Sequence, residues 1–149
     1  MNRNIQQLET FFDQYAERLN HALNNEQSDI DATINCFANG YIESSPLGVI
    51  YGKNDKDFRK KITEGYAFYQ SIGITSMDIL SKEITPLDTY HNMTKIQWKA
   101  NYISKKGNKG SIKFDVIYFT WSIDEDHKIF SYITGDEQKI FEDAGLFDV

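Results

Sequence analysis

SIKFDVIYFTWSI, residues 111–123, decides how this chain folds. Its β-branched and aromatic residues favour a strand, and strand alternation sorts them into two faces. Ile112, Phe114, Val116 and Tyr118 share one parity, and Ile117, Phe119, Trp121 and Ile123 share the other. A sheet covered by helices on one side has a solvated parity on the other, so this strand predicts burial on both faces, with a second subunit covering the outer one. Outward from it, Ile74 to Ile84, Met93 to Ile103 and Lys128 to Thr134 have the same strand composition. Turns fall at Pro86-Leu87-Asp88, Lys106-Gly107-Asn108 and Asp124-Glu125-Asp126. Four antiparallel strands are expected. In Met93 to Ile103 one parity is polar (Lys95, Gln97, Lys99, Asn101), which confines the intersubunit contact to the later strands. The prediction is a homodimer packed sheet to sheet.

The first half of the chain has a helical period. Ile5, Leu8, Phe12, Tyr15, Leu19 and Leu23 recur at steps of three and four, the stripe of an amphipathic helix. Ser28 with Asp31 reads as a capping box for a second, short helix with Ile30, Ile34 and Phe37 on one side, stopped at Asn39-Gly40. Tyr41 to Gly52 reads as a short strand or hairpin. Asn54 or Asp55 caps a third helix carrying Phe58, Ile62, Tyr66 and Tyr69 and ending at Gly73. Asp136-Glu137-Gln138 starts a terminal helix through Phe141, closed by Gly145. Helices first and a long meander afterwards predict an α+β fold, N-terminal helices packed on a strongly curved antiparallel sheet, with residues 1–149 as one domain.

Composition narrows the function. The chain has 149 residues, 40% of them hydrophobic and 14% aromatic, enough to close a core without disulfides. With 16 basic and 22 acidic side chains the formal net charge is −6, which gives no electrostatic attraction to nucleic acid or to an anionic membrane surface. The single cysteine, Cys36, rules out an internal disulfide and fits a reducing compartment. Met1 to Glu9 lacks a signal-peptide core, so a soluble, cytoplasmic protein is expected. His21, His91 and His127 stand apart from one another, and no metal-ligand pattern, phosphate-cradling glycine loop or GxSxG elbow is legible. No cofactor is implied.

Nine tyrosines, ten phenylalanines and two tryptophans are the most informative chemical feature. Ile96, Trp98, Ala100 and Tyr102 form one strand face, set to meet Ile117, Phe119 and Trp121 or their neighbours across the sheet. Such residues either fill a core or frame a cleft around the small Ala100. Buried phenols need hydrogen-bond partners, which makes Tyr15, Tyr41, Tyr66, Tyr69, Tyr102 and Tyr132 candidate polar points in an apolar cavity. Three further side chains are candidates for proton transfer. Asp115 interrupts an apolar strand and is either directed into the cleft or paired with Lys95, Lys99 or Lys113. Glu43 borders the Tyr41 to Gly52 segment. His91 near a strand end is either an acid–base group or an exposed loop histidine.

The order of elements, with Phe12 to Leu19, Phe37-Ala38-Asn39-Gly40-Tyr41, Ser45-Pro46-Leu47-Gly48, Gly52 and Lys128-Ile129-Phe130-Ser131-Tyr132, resembles the nuclear transport factor 2-like superfamily across nearly the whole chain. That superfamily includes ketosteroid isomerases and SnoaL-like polyketide cyclases. The resemblance implies a conical α+β barrel of cystatin-like type, with a pocket at its open end and frequent dimerisation through the sheet. It places Tyr15 where a ketosteroid isomerase holds its oxyanion-hole tyrosine. The isomerase base position carries Ser45, and the position of the protonated acid falls near Ile117, two residues after Asp115. The resemblance thus supports fold and pocket and argues against ketosteroid isomerase activity.

Three functions follow as expectations. The first is a dimeric protein binding a small, largely apolar molecule through Tyr15, Tyr41, Tyr66, Trp98, Tyr102, Ile117, Phe119, Trp121 and Tyr132. The second is a cofactor-independent isomerase, cyclase or dehydratase using Tyr15 with Asp115, Glu43 or His91. The third is a protein-interaction module with a vestigial cavity.

Overall fold

The computed structural model describes residues 3–148. Helix α1 (Arg3–Leu23) and short α2 (Ile30–Ile34) precede a hairpin of β1 (Phe37–Ser45) and β2 (Gly48–Lys53). Helix α3 (Lys56–Ser71) leads into β3 (Ile74–Pro86), β4 (His91–Ile103), β5 (Lys109–Ile123) and β6 (Asp126–Thr134), and α4 (Glu137–Asp143) follows. The strands form one sheet in the order β2-β1-β6-β5-β4-β3. The expected meander is β3 to β6. Sequence reading left out the closure: β1 lies parallel to β6, joining the N-terminal hairpin to the last strand. Register shifts in β3, in β1 against β6 and between β5 and β6 bend the sheet around the helices.

Helix α1 is set by its apolar stripe, and α2, α3 and α4 each begin at a capping carboxylate. In α1, Leu8, Phe12, Ala16, Leu19 and Leu23 are buried on one face. The Asn20 side chain pins this helix to β3, donating to Met77 O at 2.8 Å and accepting from Met77 N at 2.7 Å. Asp55 caps α3 and Asp136 caps α4 through their carboxylates, as expected. Gly73, at φ +95°, turns the chain from α3 into β3 so tightly that a Cβ there would lie 2.1 Å from Ile103 O.

Helix α2 departs from expectation. Its N-cap is Asp29, which accepts from Ala32 N, while Ser28 Oγ donates back to Arg18 O. It ends at Ile34, and Asn39-Gly40 lies inside β1. The Ile30, Ile34, Phe37 spacing mimics a third turn. Pairing wins from Cys36 onward because Cys36 O accepts from Ile129 N at 2.7 Å, and Asn54 Nδ2 donates to both Ile34 O and Phe37 O.

Inside the sheet, the side of β4 carrying Ile96, Trp98 and Ala100 is buried, as read. Its cross-strand partners on β5 are Val116, Phe114 and Ile112. Ile117, Phe119 and Trp121 point to the outer side, so the expected pairing gives way to their neighbours.

Candidate functional site

Between α1, α3, the inner side of β1, β4, β5 and β6, and the β6–α4 turn lies a cavity of about 490 Å³. Period and register decide what lines it. Tyr15 and Leu19 stand one turn apart on α1, and Phe58, Ile62, Tyr66 and Tyr69 follow the helical step on α3. Tyr41, Glu43 and Ser45 alternate inward on β1. Across the sheet, Glu43 pairs with Tyr132, and Tyr132 with Tyr118, giving a transverse row of polar groups on three neighbouring strands. Phe37, Trp98, Phe114 and Val116 supply apolar floor.

Of the three carboxylates lining this aromatic enclosure, Asp136 caps α4 by accepting from Lys139 N, and the other two are each held by a phenol. Tyr132 Oη donates to Glu43 Oε1 at 2.6 Å, and Tyr69 Oη donates to Glu137 Oε1 at 3.1 Å. A third buried contact joins Trp98 Nε1, as donor, to Tyr118 Oη at 3.2 Å. Burial raises the pKa of Tyr15, Tyr69, Tyr118 and Tyr132 well above that of a free phenol. The Glu137 charge adds to this at Tyr69, and the Glu43 contact adds to it at Tyr132. Burial also raises Tyr66, against the Thr33 hydroxyl and the Arg18 guanidinium. These phenols therefore stay neutral donors near pH 7. Burial raises Glu137 as well, the Tyr69 hydrogen bond opposes that shift, and the Glu43 charge reinforces it. Tyr15 packs against Phe37 and Tyr118, and its hydroxyl has no hydrogen-bond partner among the described residues.

Of the residues singled out from sequence, the structure brings Tyr15, Tyr41, Glu43, Tyr66, Tyr69, Trp98 and Tyr132 to this cavity. The others lie elsewhere. Tyr102 packs over Gly110 on the neighbouring strand, where a Cβ would lie 2.4 Å from the phenol oxygen. Ile117, Phe119 and Trp121 occupy the outer face of β5. Asp115 is on that face too, half exposed and 3.7 Å from Lys95, the paired alternative of the two considered. His91 is half exposed, with Nδ1 2.9 Å from Asp88. Sequence reading missed Tyr118, and it gave Glu137 only a helix-capping role. A turn centred on Lys106 mirrors Trp98 onto Phe114 and Thr94 onto Tyr118, so hairpin symmetry was the available signal. Glu137 had no signal of its own, because only the tertiary path of the β6–α4 turn carries it to Tyr69.

Among the described residues, no group of three or more His, Cys, Asp or Glu is arranged to hold a metal ion. None of their helices is long and apolar enough to cross a membrane.

The family described as NTF2-like protein (DUF6841) matches residues 6–137. The chain belongs to this NTF2-like family. Solved structures of the same fold agree with it. An NTF-2-like protein of unknown function from Shewanella oneidensis MR-1 superimposes with a TM-score of 0.65 at 16% identity, covering 89% of this chain and 99% of that one. A ketosteroid isomerase-like protein from Erwinia carotovora atroseptica SCRI1043 gives 0.63 at 14% identity over 91% and 97% of the two chains. A protein of unknown function with a cystatin-like fold from Nostoc punctiforme PCC 73102 gives 0.59 at 8% identity over 91% and 92%. At these identities the likeness is one of fold. No curated protein matches the sequence significantly. Within the NTF2-like frame, Ser45 lines the cavity, whereas Ile117, the position that the resemblance sets beside the isomerase acid, faces outward.

Proposed function

We propose that this NTF2-like protein is a dimeric, single-domain binder of a small, largely apolar molecule. The observation that carries the reading is the Tyr15 hydroxyl, unpartnered among the described residues, facing a cavity walled by aromatic rings. A phenol donor opening into an apolar cavity offers a hydrogen bond that an oxygen-bearing ligand can take up. Native mass spectrometry of the purified protein and a thermal-shift screen of apolar compounds test it. A bound or stabilising compound that Val116→Trp excludes from the cavity supports the reading, and a cavity that takes none of them overturns it.

The dimer part rests on the outer face of the sheet. Ile42, Val49, Tyr51, Trp121, Ile123 and Ile133 are all exposed there, Val49 at 70% and Tyr51 at 67%. Together with Ile117 and Phe119 they make an apolar surface suited to a second copy of the same sheet. A cytoplasmic location fits the single thiol, Cys36, which is buried beside Arg18.

A second reading has a specific observation behind it. Glu43 lines the same cavity as Tyr15, one inward position before Ser45 on β1. This pairs a carboxylate able to take a proton with a neutral phenol able to donate to developing negative charge, the requirement of a cofactor-independent isomerase or dehydratase. Of the partners proposed for Tyr15, Glu43 lines the cavity with it, whereas Asp115 and His91 do not.

A further inference from the structure

The cavity lining carries three carboxylates, Glu43, Asp136 and Glu137, against one ammonium, that of Lys61. Glu43 enters from β1 and Glu137 from the start of α4, and the Glu43 charge adds to the burial that raises the Glu137 pKa. Each of these two carboxylates accepts a phenol hydrogen bond on Oε1, and the second oxygen of each has no hydrogen-bond donor among the described residues. Nor does any Lys, Arg or His among those residues form an ion pair with either one. Lys61 reaches the lining from the exposed side of α3 and pairs with neither.

Two charged carboxylates opening on one partly enclosed cavity repel, and the arrangement persists at least cost when a cation joins them there. The walls offer that cation a second attraction. Tyr41 and Tyr132 stack at 6.2 Å with an interplanar angle of 21°, and Tyr15 lines the same cavity from α1. The faces of such rings carry negative charge density and attract ammonium groups. A purely neutral ligand would leave both carboxylates uncompensated.

We infer that the ligand is an organic cation, an apolar body bearing an ammonium nitrogen, held between Glu43 and Glu137 against the tyrosine rings. The inference rests on the pocket reading above and adds the ligand's charge to it. The ammonium hydrogens occupy the free carboxylate oxygens, and the apolar body lies on Phe37, Trp98 and Val116. Acid ligands are repelled.

The test compares three probes of one shape, phenylbutylammonium, phenylbutanol and phenylbutanoate, titrated calorimetrically into the intact protein at pH 7.5. The ammonium is expected to bind about tenfold more tightly than the alcohol, with no binding by the carboxylate. Glu43→Gln and Glu137→Gln each reduce ammonium binding about five- to tenfold and leave the alcohol within about twofold. Equal affinities for ammonium and alcohol, or preference for the carboxylate, overturn the cation inference while the pocket stands. Failure of all three probes overturns the pocket reading and the inference with it. Circular dichroism checks that both variants fold, and if either does not, the ranking of the three probes on the unaltered protein decides.

Discussion

Tyr132 and Glu43 face each other across the parallel pair β6 and β1, joined by a 2.6 Å hydrogen bond from the phenol to the carboxylate. The contact ties the N-terminal hairpin to the last strand inside the cavity, and its chemistry has a direction. Ionising Tyr132 would set two negative charges at hydrogen-bond distance within an apolar wall, so the phenol holds its proton far longer than a free one.

An alkaline prediction follows from that phenol and from Tyr15, Tyr69 and Tyr118, whose pKa values burial raises in the same sense. A pKa raised on folding means the folded state holds protons that the unfolded chain gives up. The stability this represents is complete below the free phenol value of 10.0 and is lost as pH climbs above it. Absorbance at 295 nm during a titration from neutral pH should rise by less than the full nine-tyrosine amplitude, the remainder arriving only with loss of the far-ultraviolet circular dichroism signal. Complete ionisation with the fold intact would contradict this.

Gly52 supports the same wall from behind. A Cβ at this position would lie 2.3 Å from the Tyr41 ring, and Tyr41 is itself buried against Phe58 and Tyr132. Gly52→Ala is therefore expected to cost about 1–3 kcal/mol by overpacking, read as a lower urea midpoint at unchanged slope. Phe12→Ala, at a fully buried position on α1, should cost about 3–5 kcal/mol.

The two halves of this molecule were unequally readable. The stripe of α1 and the strand composition of β3 to β6 are periodic over many residues, so local pattern and tertiary burial agree. The segment Cys36 to Tyr41 is too short for its period to discriminate. Phe37 and Tyr41, four apart, fit a helix and fit alternate inward positions of a strand equally well, and only the long-range pairing with Ile129 decides. The site was legible where one residue could be judged alone, as with Tyr15 on the helix flank. It was obscured where register mattered. On β5 both parities are apolar, so composition could not say that Tyr118 turns in and Trp121 turns out. The reason is physical, since the outer face of β5 is also apolar enough to need a cover.

His127 makes an acid-side prediction. Its ring is buried between Ser122, whose Oγ lies 2.6 Å from Nδ1, and Gln7, whose Oε1 lies 3.2 Å from Nε2, with Phe11 at its edge. Burial lowers its pKa below the usual 6.5, and the Asp126 charge opposes the shift. The unfolded chain therefore binds a proton here before the folded one does, and stability falls as pH drops below about 6.5 towards the lowered value. Urea midpoints measured at pH 7.5 and pH 5 should differ by less in His127→Gln than in the unaltered protein. The same difference in both would show that His127 stays uncharged or is solvated throughout.

The outer face of the sheet makes the last prediction. Trp121 is 41% exposed and Ile133 40%, and between them Ile117, Phe119 and Phe130 continue the apolar surface across β5 and β6. A lone copy would leave these rings in water, at about 25 cal/mol for each Å² of apolar area, so a second copy meeting the face recovers that cost twice over. Polar residues on the outer side of β4, with Lys95 paired to Asp115, bound the surface on one edge and direct the contact towards β5, β6 and β1. Sedimentation of the unaltered protein is expected to give twice the chain mass. Ile133→Glu, which buries two symmetry-related carboxylates in such a contact, is expected to give the single-chain mass with the same far-ultraviolet spectrum. Lys99→Glu, on the polar edge, should leave the dimer intact. A monomer before any substitution would remove the dimer and leave the cavity reading untouched, because every group lining the cavity comes from one chain.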